Sequence, residues 1–203
     1  PSADGRTAVH AVEWHPAGEP AGILQIAHGV AEYALRYEPF ARFLNAHGFL
    51  VVANDHLGHG KTAENEQELC FFAEKDGWND VVSDMDTLHK LTAAKYPGVP
   101  YFLFGHSMGS FLTRTYIIDH PEGLKGVIIS GTGQNPGAVI AAGKLMAKLE
   151  MIDNGPMYHS PTLDKLAFGS YNKKYDHVRT KLDWLTRDEA VVDAYIADPL
   201  CGA

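Results

Sequence analysis

Four short apolar runs punctuate the first two thirds of the chain, and segments with helical spacing lie between them. The runs are Gly22-Ile-Leu-Gln-Ile-Ala-His-Gly29, Phe49-Leu-Val-Val-Ala-Asn-Asp55, Pro100-Tyr-Phe-Leu-Phe-Gly105 and Lys125-Gly-Val-Ile-Ile-Ser-Gly131. Runs this short and this continuously apolar suit strands covered on both faces, the condition of a parallel sheet. Arg6 to Trp14 alternates in part and reads as an edge strand ahead of them. Tyr37, Phe40, Ala41 and Leu44 recur at helical spacing, with Pro39 tolerated in the first turn and Gly48 as C-cap. After an irregular stretch over 57–77, Trp78, Val81, Val82, Met85, Leu88 and Thr92 mark one face of a long helix. Asp80, Ser83, Asp84 and Lys90 are expected on its outer face, and Pro97-Gly98 ends it. Another helix starts directly after Gly105 and runs to about Asp119. Strands and helices alternating at these lengths predict an α/β fold, a doubly wound and mostly parallel sheet.

The alternation stops at residue 133. Beyond it only helical patterns remain: Ala138 to Ile152 carries an apolar stripe of Val139, Ala142, Leu145, Met146, Leu149 and Ile152. Thr186-Arg-Asp-Glu189 reads as a capping box opening a helix through about Ala197, before Pro199. The division expected is therefore residues 1–133 as the N-terminal part of an α/β core and 134–203 as a helical cap. That stripe would give a long acyl chain an apolar wall, or simply pack on the sheet, and supports at most transient contact with lipid surfaces.

Charge and cysteines narrow the function. Seventeen Lys and Arg against twenty-five Asp and Glu give a net charge of -8, which argues against a nucleic-acid partner. No run of eighteen apolar residues is present for a membrane span, and the N-terminus PSADGRTAVHAVEW shows neither part of a signal peptide. Cys70 and Cys201 are too few and too distant for a disulfide framework or a zinc site, so a reducing, cytoplasmic setting is expected. The sequence gives no indication of oligomeric state.

Gly105-His106-Ser107-Met108-Gly109 matches G-x-S-x-G in a specific context: an apolar strand ends at Gly105 and a helix opens after Ser107. A turn that sharp strains its central residue, and the glycines on either side let strand and helix approach. The hydroxyl of Ser107 then stands at a helix N-terminus, where backbone N–H groups favour developing negative charge. One oxyanion donor comes from the residue after the nucleophile, here the Met108 N–H. The other comes from a loop after an earlier strand, and Val30, following His28-Gly29, holds that place. Asp55-His-Leu-Gly-His-Gly-Lys-Thr62 admits three readings. A phosphate loop requires glycine where Asp55 stands, a metal site from Asp55, His56 and His59 lacks a fourth ligand, and a tight turn beside the active site fits best.

Taken together, His28-Gly29, Asp55-His-x-Gly-His-Gly60 and Gly105-His-Ser-Met-Gly109 resemble the α/β-hydrolase superfamily. More narrowly they resemble its monoacylglycerol lipase, lysophospholipase and serine-aminopeptidase-like branch, continuously from residue 6 to about 133, with a cap-like stretch after it. The resemblance implies hydrolysis of a small acyl ester, monoacylglycerol- or lysophospholipid-like, through an acyl-serine on Ser107, without a cofactor or metal. Val30 and Met108 would supply the oxyanion donors.

The resemblance also leaves a gap. A serine needs a base, itself oriented by an acid, and in this fold both follow the nucleophile on loops after later strands. After Ser107 only His120, His159 and His177 remain. His120-Pro121 ends the helix that begins at the nucleophile, and the other two fall in the helical stretch. The reading that weighs most is that the acid and histidine belong to a further part of the protein; Asp153 or Asp164 with His177 as an unusual triad weighs less. A same-fold aminopeptidase, or a non-catalytic module that keeps the pocket for an apolar ligand, remain as alternatives.

Overall fold

A computed structural model describes residues 1–202, so Ala203, the last residue of the expected helical region, lies outside the described residues. Five strands, β1 (Ala11–Trp14), β2 (Gly22–Ala27), β3 (Phe49–Asn54), β4 (Tyr101–His106) and β5 (Leu124–Ser130), form one sheet in the order β1-β3-β2-β4-β5. β2 is the axis. All six of its residues are buried, and it pairs in parallel with β3 on one side and β4 on the other. β5 extends the parallel set beyond β4, and β1 closes the opposite edge antiparallel to β3. The first strand is shorter than the alternation from Arg6 suggests.

Three helices cover this sheet, and the two-residue period of β2 decides what each face buries. Leu24 and Ile26 join Trp14, Val51, Ala53 and Ala41 of α1 (Glu38–Ala46) on one face. Ala27 and Leu103 lie on the other with Val81, Val82 and Met85 of α2 (Gly77–Lys95) and Leu112 and Tyr116 of α3 (Met108–Asp119). Gln25, the polar residue inside β2, is satisfied in place: its amide donates to the Met85 carbonyl, and its oxygen accepts from the Tyr101 hydroxyl. The outermost parallel strand is different. Ile128 and Ile129 of β5, on alternate faces, remain 49% and 40% exposed, although parallel strands are ordinarily covered on both faces.

The helical pattern of α2 holds, but Asp84 is not on its outer face. It is buried and accepts hydrogen bonds from the Ser2 hydroxyl and the Ala3 N–H, both at 2.7 Å. The N-terminal residues fold over α2 and cover a carboxylate that the helix alone would leave in water. Nothing in the periodicity of α2 signals this, since the covering residues lie eighty positions away.

The chain divides into two compact units, Pro1–Gly133 and a second from Gln134 onward. The second holds α4 (Gly137–Asn154), α5 (Pro161–Phe168) and α6 (Glu189–Ala197). Within it Phe168 stacks on Trp184, with Tyr171 edge-on to the same indole at 4.8 Å. The cap of α6 sits two residues later than the capping box implied: Asp188, not Thr186, accepts from the Ala190 N–H, while the Thr186 hydroxyl accepts from Asp188. No residue of α4 is buried. Its apolar stripe is exposed, with Leu145 at 60% and Ile152 at 80%. Among the described residues no helix is long and apolar enough to cross a membrane.

Candidate active site

β4 ends at His106, α3 begins at Met108, and Ser107 alone makes the turn. Its backbone lies at φ 52° and ψ -117°, a region that costs a residue with a side chain about 1–3 kcal/mol. Close approach on both sides holds it there. A Cβ on Gly105 would collide with the Thr113 hydroxyl and the Gly109 carbonyl, and one on Gly109 would stand 2.6 Å from the His28 carbonyl oxygen and closer still to that of Ala27. The first turn of α3 is thus pressed against the end of β2 through Gly109, and α3 against β4 through Gly105. The Ser107 N–H donates to the Ser130 carbonyl at 3.0 Å, which ties the turn to the end of β5 as well.

The same compression brings the loop after β2 to the serine. A Cβ on Gly29 would lie 3.2 Å from the Ser107 Cβ. His28-Gly29-Val30 and Ser107-Met108 are therefore neighbours in space, as the reading of the two motifs requires. Among the described residues the Val30 N–H makes no hydrogen bond, and Met108 carries the first N–H of α3, a group no carbonyl of its own helix can satisfy.

Two carboxylates anchor the loop that carries Val30. Glu32, almost wholly buried, accepts from the Gly29 N–H at 2.6 Å, the Tyr37 hydroxyl at 2.8 Å and the Arg36 guanidinium at 2.9 Å. Asp55 is fully buried and accepts from the Ala34 N–H, the Lys61 N–H and the His10 ring. Glu32 escaped the sequence reading. Its one local signal was the four-residue spacing to Arg36, which also describes many solvent-exposed pairs.

Asp55-His-Leu-Gly-His-Gly60 is a tight turn next to this loop, the third of the readings considered for it. Gly60 adopts φ +51°, the left-handed region, and a Cβ there would press on the Asp55 carboxylate. No α-helix opens at Lys61-Thr62, as a phosphate loop requires; a short 3-10 turn over Glu66–Glu68 comes next. The oxygens of Asp55 accept from the Ala34 N–H, the Lys61 N–H and the His10 ring, and among the described residues no group of three or more histidine, cysteine or carboxylate side chains is placed to hold a metal ion.

Under the loop the rings of His28, His56 and His59 cluster, with His28 and His56 centroids 4.1 Å apart and His28 and His59 5.3 Å apart. Burial holds His28 well below the usual histidine range, with the charges of His56 and His59 adding to it. Burial, then His59, holds His56 at about 3. Burial also lowers His59. Three neutral imidazoles in contact can share a small enclosed space; protonated ones cannot.

Of the later histidines, His120 caps the C-terminal end of α3, about 20 Å along the helix from Ser107, with Asp86 at 3.8 Å as its neighbour. His159 and His177 lie in the second unit and are exposed, as are Asp153 and Asp164.

Comparison with known proteins follows the same lines. The model of one family, serine aminopeptidase S33, matches residues 18–203. The monoacylglycerol lipase of Mycolicibacterium smegmatis is 31% identical over 192 residues, covering 92% of this chain and 59% of its own length. The human monoglyceride lipase is 29% identical over 189 residues, covering 92% and 54%. Among solved structures, a thermostable carboxyl esterase from Bacillus coagulans, in complex with glycerol, superposes with a TM-score of 0.87 at 31% identity, over 100% of this chain and 64% of its own. The chain thus spans between about half and two thirds of the proteins it resembles.

Proposed function

The chain belongs to the serine aminopeptidase S33 family and has the α/β-hydrolase fold, and on that footing we propose that the protein hydrolyses carboxylic esters of the monoacylglycerol or lysophospholipid kind. The observation that carries this reading is Ser107 in a strained turn at the N-terminus of α3, pressed against Gly29 and Val30. In the proposed reaction the Ser107 Oγ attacks the ester carbonyl carbon while a base takes its proton. The carbonyl oxygen, now negative, accepts hydrogen bonds from the Val30 and Met108 N–H groups, and the tetrahedral species collapses as the protonated base gives its proton to the departing oxygen, releasing the alcohol. Water then cleaves the acyl-serine by the same steps in reverse order. The base is assigned to no residue of the first unit: His120 stands at the wrong end of α3, and His28 is engaged beneath the loop on both ring nitrogens. The unit from Gln134 onward is assigned to the cap, since the α4 stripe is both apolar and exposed.

The lipases and the esterase named above support an ester substrate; the description of the family supports the second reading, cleavage of a peptide bond after a small N-terminal residue. Turnover of p-nitrophenyl esters and of aminoacyl anilides by the natural gene product, each compared with Ser107→Ala, tests both. Ester turnover abolished by Ser107→Ala is expected. Retained turnover in that variant sinks the assignment, and a preference for anilides transfers it to the peptidase reading.

A further inference from the structure

The peptide group between Gly29 and Val30 is planar and trans, so its carbonyl and its N–H point in opposite directions. Whatever holds the Gly29 oxygen therefore also aims the Val30 N–H. That oxygen is held by the His28 ring: Nδ1 lies 2.7 Å from it. The opposite nitrogen, Nε2, lies 3.0 Å from the His56 backbone N–H. A carbonyl only accepts and a backbone N–H only donates, so the two contacts together dictate one state of the ring, neutral with its proton on Nδ1. His28 is buried with the rings of His56 and His59 against it, which keeps water from competing for either nitrogen. Glu32 grips the Gly29 N–H from the other side, so both peptide groups of Gly29 are clamped by side chains.

We propose that His28 is a positioning residue: its Nδ1–H, locked by the His56 N–H on Nε2, holds the Gly29 carbonyl and so aims the Val30 N–H at the developing oxyanion. The proposal rests on the functional reading above, in which Val30 is an oxyanion donor. The role is one of geometry, since the imidazole neither touches the substrate nor exchanges a proton with it.

The test uses the natural gene product with His28→Ala, His28→Asn and, separately, Ser107→Ala. Asparagine places an N–H donor close to where Nδ1 stands but has nothing at Nε2. Losing an aimed oxyanion donor lowers kcat on the order of 10²-fold. His28→Ala is accordingly expected to lose on the order of 10²-fold in kcat on p-nitrophenyl butyrate with KM little changed, and His28→Asn to recover at least tenfold of that loss. Histidine resonances of the wild type are expected to report the Nδ1–H tautomer for His28. Because His28→Ala leaves a hole and can fail to fold, the asparagine variant and the wild-type resonances carry the test by themselves. An Nε2–H tautomer, or wild-type kcat in folded His28→Ala while Ser107→Ala is inactive, overturns the proposal alone. Turnover retained in Ser107→Ala overturns the functional reading, and this assignment with it.

Discussion

Gly109→Ala adds one methyl group where α3 crosses the end of β2, and two consequences of that methyl oppose each other. Alanine in place of glycine within a helix stabilises it by about 1 kcal/mol. Here, though, the new Cβ would stand 2.6 Å from the His28 carbonyl oxygen and nearer that of Ala27, where real contacts stay beyond 3.0 Å. Both obstacles are backbone atoms, so no side chain can swing away; helix and strand must part by something on the order of 1 Å. Overpacking of this kind costs about 1–3 kcal/mol, which outweighs the helical gain. The larger effect falls on rate. Ser107 and Met108 ride on α3 while Gly29 and Val30 ride on β2, so the displacement opens the space between nucleophile and second donor directly. A misplacement of about 1 Å costs roughly 10²-fold. Thermal melting should show a modest loss, and the second-order rate of phosphonylation by a fluorophosphonate should fall on the order of 10²-fold. A variant that reacts at the wild-type rate, with its melting temperature unchanged, refutes the view that this contact sets the geometry of the site.

Three further outcomes follow from the same contacts. His56 is buried and held at about 3 by burial and by His59, whereas an unfolded histidine takes up its proton near 6.5. Between those values the unfolded chain binds the extra proton, so stability falls as pH falls; from pH 7 to 5 the cost is about 2 kcal/mol for His56 alone. His28 and His59, lowered for the same first reason, add to it. Urea midpoints at pH 7, 6 and 5 measure this, and a flat profile contradicts neutral burial of the cluster. Glu32→Gln keeps the size of the side chain but weakens its bonds to Gly29, Tyr37 and Arg36; a loss of about 1–3 kcal/mol in chemical denaturation is expected, with none pointing to an anchor of no consequence. Asp84→Ala removes both acceptors that hold Ser2 and Ala3. Amide exchange over the first residues should rise while β2 stays protected, and unchanged exchange there would mean another contact holds that segment.

Much of the first unit can be read from side-chain period alone. The four apolar runs become β2 to β5; coverage on both faces accounts for the runs of β2 and β3, whereas β5 forms from the same kind of run with Ile128 and Ile129 exposed. The glycines of the Ser107 turn are equally legible, since few other arrangements need two of them at that spacing around a serine. What escapes is longer in range. Asp84 looks like an outward residue of an amphipathic helix until the N-terminus closes over it, and Glu32 looks like half of a surface pair until Gly29 presents its N–H. His56 and His59 were visible as a motif, but their motif does not reveal that they pack against the ring of His28, which lies on another loop. Local pattern specifies what an element is; the polar contacts that orient the site join segments whose separation in sequence carries no signal.

The central claim is that Ser107 is the residue to which the acyl group is transferred. The most direct test is peptide mapping by mass spectrometry after treating the natural gene product with a fluorophosphonate. The expected result is a single adduct, on the peptide that contains Ser107 and on no other. An adduct on a different residue, or no adduct in a preparation that hydrolyses p-nitrophenyl butyrate, contradicts the account.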